Sequence, residues 1–436
     1  MGSGHETLSI DETICMSMER HVVKTNPDAL TLLAVLALLP AGTTGGNLRR
    51  WVPGLHSSSA AVQSLRLAAL IEQEDGPFGT ARIFLRPTIQ THISQQNCIS
   101  ADVRKLVHNA GYRFVLDHKS VPDDRQFQDD LTALAGEETN IQGLLLDVDV
   151  NDLGPNAFDA LIAFALYQSW TKPSSTLASH ASRIAQAAHD NPGVVDPYAA
   201  ARRVAEAHRC LERNLFALSL YAKAYKHFEE ASCIYKNIPG GMDPIISGEC
   251  SMETVHLWRF MKGEGNDELE TRVYDAEANL SHDGNERFYV ACGLLGPGAF
   301  LCWRERREEA LEKLSSARAI FKELDCPAST AQALYYMSRT YARLDEPQEA
   351  LLLAQDALAK AEECGEIGLI CRTSRMTALC LLGSEAYDDA LGSHDLSVPH
   401  RRWVSTSAWL KVWNCWHTLA LRDWTFRVLE LLTRGQ

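Results

Sequence analysis

Residues able to do chemistry are plentiful in this chain, but their spacing suits no familiar reaction. Its 12 cysteines run from Cys15 to Cys415 without a CxxC pair, and no His/Cys cluster has the spacing of a zinc site. Most sit in apolar helical pattern, as Cys233 does in EEASCIYKNI and Cys292 in VACGLLG. A thiol there behaves as a small hydrophobe, which points to a reducing, cytoplasmic setting and no disulfide framework. The 15 histidines are scattered, and a lone one such as His208 reads as a surface or packing residue rather than a ligand. No G-x-S-x-G elbow and no HExxH is present, and the carboxylates fall on the polar faces of periodic helices. The Gly-rich stretch AGTTGGNLRR (41–50) lies between helices and lacks a Lys-Ser/Thr end, and the chain contains no GxxxxGK[ST]. The expectation is therefore no catalytic residue, no metal ligand and no cofactor: a chain that is not an enzyme. A site assembled only in three dimensions is the one enzymatic alternative this leaves.

Binding chemistry is constrained by charge. With 56 acidic against 42 basic side chains the formal net charge is −14, so nucleic acid and anionic membrane are disfavoured as main partners. The apolar run Ala29–Leu39 is too short to span a bilayer, and the charged stretch before it does not resemble a signal-peptide start.

The elements that must position any site are helical almost throughout. Asn26 reads as an N-cap, Pro27 fits the first helical position and Asp28 suits the positive end of the dipole, for a helix to Leu39 before the Pro40-Ala41-Gly42 stop. A second helix is expected over Asn47–Gly54. A third, capped by the serines at 57–59, is expected to run from Ala60 to Glu74. The turn Asp75-Gly76-Pro77 and the strand-like run Ala81–Leu85 follow, and three helices plus a short hairpin describe a winged helix. As a DNA reader its recognition helix is poor, with Arg66 alone against Glu72 and Glu74, so interdomain packing is the expected role. Two amphipathic stretches follow over 95–135 with a polar break at Ser120–Asp124, and from Asn140 onward helices alternate with short turns.

A repeat is the strongest pattern. Ala224, Phe228 and Ala231 place small residues around a bulky one at helical spacing, as two closely crossing helices require. Ala310, Leu314 and Ala317 repeat it, as do Ala350, Ala354 and Ala357, with Leu269, Val273 and Ala276 as a weaker copy. Leu334, Met337, Ser338 and Tyr341 fill the matching places of a preceding helix, and Gly298 takes the small place one unit earlier. Anchors at 224, 269, 310 and 350 step by 45, 41 and 40 residues, a lengthened form of the ~34-residue tetratricopeptide hairpin. A fifth falls on Ala390, after which His394 and Ser397 break the pattern. In such arrays the first helix of each unit lines the inner surface. Its outward places are Gln332, Tyr335, Arg339 and Arg343 in one unit and Arg372 and Arg375 in the next. Four arginines and a tyrosine facing one groove would suit a carboxylate-bearing protein or peptide through bidentate hydrogen bonds. Solvated charges that keep the helices soluble are the plainer alternative.

The stretches KTNPDALTLLAVLALLPAG, AAVQSLRLAALIEQ and RIFLRPTIQTHI resemble the winged-helix portion of fungal STAND proteins, the NB-ARC or NACHT-type NTPases with C-terminal tetratricopeptide-like repeats. TNIQGLLLDV…NAFDALIAFALYQSWTKPSST resembles their bridge, and the resemblance covers roughly residues 7 to 395. It implies an upstream nucleotide domain, and repeats that serve as sensor or docking surface. This chain departs from that pattern in lacking the phosphate-gripping Lys. Leu85-Arg86-Pro87 also stands where related switches offer a His-Asp pair to the nucleotide, so the chain resembles the C-terminal two-thirds of such a protein without its motor.

The tail differs from the rest, with a local charge of +4 over Pro399–Gln436 and Trp409, Trp413 and Trp416 on one helical face. Either it caps the last hairpin or it docks on a partner or membrane surface. The expected fold is mostly all-α, a winged helix followed by an α–α superhelix of four to five hairpins. Residues 1–94 are the winged-helix unit with a linker helix, 95–200 a helical bridge, 201–398 the repeats and 399–436 the Trp-rich cap. The expected function is a protein-interaction scaffold or sensor of STAND type without its own NTPase. The alternative is a C-terminal fragment, or partner in trans, of a nucleotide-driven switch.

Overall fold

The computed structural model describes residues 9–383 apart from 56, 76–80, 96–98, 150–155, 191–195, 239–252, 254–256, 258–266 and 281–285. Eighteen helices and one small sheet account for most of them. The N-terminal part holds α1 (Ile10–Met18), α2 (His21–Lys24), α3 (Pro27–Ala37), β1 (Thr43–Thr44), α4 (Gly45–Trp51), α5 (Ser58–Leu67), β2 (Glu72–Asp75), β3 (Ala81–Phe84) and α6 (Pro87–Gln95). Side-chain oxygens of Asn26, Thr44 and Ser57 cap α3, α4 and α5. The strands pair antiparallel in the order β1-β3-β2, with Thr43 opposite Ile83 and Gln73 opposite Ile83 on the other edge. Gly42 is required where the chain enters β1: its φ is +65°, and a Cβ there would lie 2.5 Å from the Ile83 carbonyl oxygen.

The third helix is shorter than its apolar pattern suggested, ending at Leu67 rather than Glu74. Ala69 takes φ 58°, and the Leu70 amide donates back to the Leu65 carbonyl at 3.0 Å, which is a Schellman stop. Released from the helix, Glu72–Asp75 pairs with Ala81–Phe84. Pairing across a sheet, invisible to local periodicity, overrides the helical pattern here.

Four helices follow: α7 (Ala101–Asp117), α8 (Phe127–Leu146), α9 (Ala157–Trp170) and α10 (Ser175–His189). The polar break falls between α7 and α8 as expected. Asn140 is not a helix boundary but lies inside α8, where it is fully buried. The reason is a polar knot around Glu137, one turn earlier and also fully buried. Thr43 Oγ1 and Asn47 Nδ2 each donate to Glu137 Oε1 at 2.8 Å, and Asn140 Nδ2 donates to Oε2 at 2.7 Å. Asn140 also receives the Ala41 amide and donates to the Gly42 carbonyl, while Arg82 donates to the carbonyls of Ala41, Gly42 and Gly136. Arg82 Nη2 lies 3.9 Å from Glu137 Oε2. This knot fastens the sheet and α4 onto α8.

The remaining helices are α11 (Pro197–Ala217), α12 (Tyr221–Asn237), α13 (Asp267–Leu280), α14 (Arg287–Trp303), α15 (Arg307–Glu323), α16 (Pro327–Arg343), α17 (Pro347–Cys364) and α18 (Ile367–Gly383). From α14 on, helices begin at 287, 307, 327, 347 and 367, a 40-residue hairpin repeat built of two 20-residue halves. The stops keep the same step: Glu305, Asp325, Asp345 and Gly365 all have positive φ. Arg306, Cys326 and Glu346 donate their amides to Leu301, Phe321 and Tyr341 in the helix just ended.

The anchors carry the packing. Ala224, Phe228 and Ala231, Ala310, Leu314 and Ala317, and Ala350, Ala354 and Ala357 are all buried. Val273 and Ala276 are too. Gly298 is the tightest approach, since a Cβ there would come within 2.7 Å of Leu314 Cγ. Ser338, the equivalent place one unit later, donates to the Ala350 carbonyl at 2.7 Å. The fold is all-α with tetratricopeptide-like hairpins. Ala390, His394, Ser397 and the Trp-rich tail lie outside the described residues.

One apolar core runs without a break from Ile14 to Leu257, through the N-terminal unit, α7–α10 and the first hairpin. Beyond it the repeats hold a string of small local clusters, as a stack of units touching only their neighbours does.

Substitutions at Glu137 and Gly298 test this account by urea unfolding. Glu137→Ala strands the buried donors of Thr43, Asn47 and Asn140 and should cost about 3–5 kcal/mol, with Glu137→Gln costing less. Gly298→Ala should destabilise by about 1–2 kcal/mol, although alanine is the better helix former, and Leu314→Ala should remove that penalty in a double-mutant cycle.

Candidate interaction surface

The first helices α16 and α18 carry the residues expected to line the inner surface. Gln332 and Arg339 on α16 are half-buried, and among the described residues no carboxylate lies within ion-pair distance of Arg339. Arg343, also half-buried, donates through Nη1 to the Cys302 carbonyl at 3.0 Å and so ties α16 to α14. On α18, Arg372 is exposed and 3.8 Å from Glu366, and Arg375 is half-buried. Tyr335 requires a correction. It is only 9% exposed, packed in a cluster with Leu334, Ala350, Ala354 and Met376 and edge-on to Tyr336. Successive first helices approach closely enough to enclose a ring at that place, so its exposure depended on a neighbouring helix that spacing within one helix does not describe.

A second feature joins the α7–α8 loop and the start of α8 to these repeats. In the loop between α7 and α8, Asp123 accepts from the Ser329 amide at 3.0 Å and from Ser329 Oγ at 2.6 Å. Ser329 is in the first turn of α16, whose own N-cap position, Cys326, supplies no side-chain bond. A carboxylate some 200 positions away thus caps this helix, satisfying an orphan amide and facing the positive end of the dipole. Gln128 Nε2 donates to the carbonyls of Glu362 and Glu363 at the opposite, C-terminal end of α17. The Arg125–Asp325 pair beside them is largely solvated and adds little. A recess of about 320 Å³ lies along this seam, bordered by Pro122, Asp124, Pro327 and Cys364. Burial pushes the Glu366 carboxyl up, with Asp123 nearby adding to the effect against the pull of Arg372.

A recess of about 240 Å³ lies between the α7–α8 loop, α8, α9 and α11. Phe127, Leu134, Leu166 and Trp170 are among its apolar walls, and Asp159 and Glu206 are among its acidic groups. Burial, then the neighbouring Asp159, raises the Glu206 carboxyl above the ordinary carboxylate range. His118 borders the recess and resembles half of a catalytic dyad. Its Nε2 faces Arg50 Nη1 at 2.7 Å and its Nδ1 faces Asp130 at 2.8 Å. Arg50 can only donate, so Nε2 accepts and Nδ1 carries the proton given to Asp130. Both nitrogens are occupied, leaving this imidazole without a free lone pair for a substrate. An apolar wall beside carboxyl groups is instead suited to a cation carried on an apolar stem.

His208 is not the lone histidine that its sequence surroundings suggested. From α11 it meets His227 of α12, Nδ1 to Nδ1 at 3.0 Å, with the rings stacked at 5.2 Å. Glu230 Oε2 lies 3.2 Å from each Nδ1. His227 and Glu230 are three apart on one helix face, a local signal. Their partner from α11 is set only by the hairpin, whose turn at Ser219 (φ 61°) lays the two helices side by side. Burial depresses the His208 imidazole, with His227 and Lys226 acting in the same sense and Glu230 opposing them. Among the described residues this is the one group of three side chains whose donor atoms converge as metal ligands do.

A family model for the tetratricopeptide repeat matches residues 289–363, the span of α14 to α17. No curated protein sequence matches the chain. Among solved structures, BtubC (BKLC) from P. vanneervenii is similar at 16% identity and TM-score 0.38, covering 51% of this chain and 87% of that one. A Signal Transduction ATPase with Numerous Domains (STAND) protein with a tetratricopeptide repeat sensor, from Pyrococcus horikoshii, is similar at 13% identity and TM-score 0.43, covering 99% of this chain and 68% of that one. A Rap protein complexed with competence and sporulation factor is similar at 14% identity and TM-score 0.44, covering 70% and 78%.

Asp123→Ala removes the cap of α16 and should cost about 1–2 kcal/mol locally. Hydrogen exchange followed by mass spectrometry should show faster exchange over residues 327–331, while peptides from α3 and α8 keep their protection.

Proposed function

We propose that this chain is a protein-interaction sensor of the STAND type, in which the first-helix face of the repeats takes an acidic segment of a protein partner. One observation carries the proposal: Arg339 is half-buried on α16, and no described carboxylate neutralises it. A guanidinium kept partly from water and without a counter-charge gains most from a carboxylate that arrives from outside. Arg372 and Arg375 on α18 extend the same charge along the array, and Gln332 adds an amide. Tetratricopeptide repeats over 289–363 support the interaction role. Arg343, committed to the Cys302 carbonyl, and Tyr335, enclosed by its neighbours, hold the surface in shape.

In this proposal residues 1–94 act as a winged-helix packing unit, 95–200 as the bridge, 201–398 as the repeats and 399–436 as their cap. The order helix, strand, helix, helix, hairpin over α3 to β3 supports the first assignment. The exposed face of α5 (Ser59, Ala60, Gln63, Arg66, Leu67) carries one cation, which supports packing over DNA reading. The chain contains no GxxxxGK[ST], so a nucleotide-driven step would have to come from residues outside it. The contacts of Asp123 and Gln128 favour a switch over a passive scaffold, because a partner on the repeats and the bridge loop on the ends of α16 and α17 bear on the same helices.

Fluorescence anisotropy with a library of labelled acidic peptides tests the binding surface. Members that bind should lose affinity about tenfold or more on Arg339→Glu, and on added salt, with no loss on Arg66→Glu on α5. Equal affinity for the parent chain and Arg339→Glu would remove the groove from consideration.

A further inference from the structure

The geometry points to a divalent transition-metal site, best suited to Zn²⁺, formed by His208, His227 and Glu230 between the two helices of the first hairpin.

Protons alone do not account for the arrangement. Three acceptor-capable atoms, His208 Nδ1, His227 Nδ1 and Glu230 Oε2, stand 3.0, 3.2 and 3.2 Å apart. A carboxylate oxygen only accepts, so both contacts with Glu230 require an Nδ1–H on each imidazole. The histidine pair requires the opposite, one Nδ1–H facing one lone pair. With Glu230 ionised, no single placement of protons makes all three contacts two-centre hydrogen bonds. A dication held by all three atoms accounts for them, with both Nδ1 atoms deprotonated and each offering its lone pair.

The distances match that occupant. Zn–N and Zn–O bonds of about 2.0–2.1 Å in a tetrahedral shell place neighbouring donors about 3.3 Å apart. The observed triangle is one face of such a tetrahedron to within a few tenths of an ångström. Two imidazoles and one carboxylate select zinc and its neighbours over calcium or magnesium, which prefer an all-oxygen shell. Lys226 Nζ lies 3.8 Å from Glu230 Oε1, leaving Oε2 for the metal. Glu230 is 39% exposed, His227 25% and His208 14%, so the triangle opens toward solvent on the carboxylate side. The fourth position is therefore open to water or to a donor from a binding partner. Metal at this point pins α11 to α12, where the continuous core of the N-terminal half passes into the stack of repeats.

The test uses the purified full-length chain, stripped with chelator and titrated with Co²⁺ as a visible reporter. One equivalent should give the visible d–d absorption of a four-coordinate nitrogen and oxygen site, bleached by one equivalent of Zn²⁺. Glu230→Gln alters a partly exposed surface side chain and keeps its shape, and it should weaken Co²⁺ binding about tenfold or more. His227→Gln should do the same, with unchanged circular dichroism for both variants. His189→Gln, at an exposed histidine elsewhere, should leave the titration unaltered. No visible band at tenfold excess of Co²⁺ would overturn the proposal, and so would a band that persists in both Glu230→Gln and His227→Gln or one that carries thiolate charge transfer.

Discussion

Close approach of helices at small residues is the constraint on which the C-terminal half depends. Gly298 lets α14 lie against Leu314, and Ser338 does the same for α16 while using its hydroxyl to satisfy the Ala350 carbonyl. Alanines 310, 317, 350, 354 and 357 keep the partner helices equally near. Once the crossings are fixed at this depth, the 20-residue step between helix starts follows. Helix stops at Glu305, Asp325, Asp345 and Gly365 must then turn the chain in the same number of residues. Only the last of these is glycine, so three stops accept a non-glycine residue in the left-handed region, at a cost that capping bonds and packing offset.

A stack held only by neighbour contacts would be free to curve independently of the globular half. One polar attachment, through Asp123 and Gln128, limits that freedom, and it differs in kind from the Glu137 knot within that half. The Glu137 carboxylate is fully buried and hydrogen-bonded through both oxygens, so the knot behaves as part of the architecture. Asp123 and Gln128 reach across to helix ends at the surface, where water competes for the same bonds. Contacts of the second kind break and reform at small cost, which suits an element that responds to a ligand.

Legibility in the sequence followed the range of the interactions. α3 stops at Ala37, two residues before Leu39. The cap of α3 by Asn26, the strand that begins at Ala81 and the buried anchors of the repeat depend on residues within a turn or two of each other, and these stand where the pattern put them. The end of α5 did not, because strand pairing with β3 outweighed a helical pattern that ran on through Ile71 and Glu74. Tyr335 was misplaced for a related reason: one-helix geometry names the outward side, and the next helix decides whether that side is covered.

The sequence by itself determined the class of this protein, an all-α chain with hairpin repeats and no phosphate-gripping motif, because periodicity and small-residue spacing are local properties of the chain. Tertiary structure decided where its chemistry lies. Asp123 is one carboxylate among many until α16 brings Ser329 beneath it, and His118 is one of the scattered histidines until Asp130 and Arg50 take its two nitrogens. His208 became a candidate ligand only when the hairpin turn at Ser219 set it against His227 and Glu230. Electrostatic and coordination geometry depend on distances of a few ångströms between residues far apart in the chain, and only folding sets those distances.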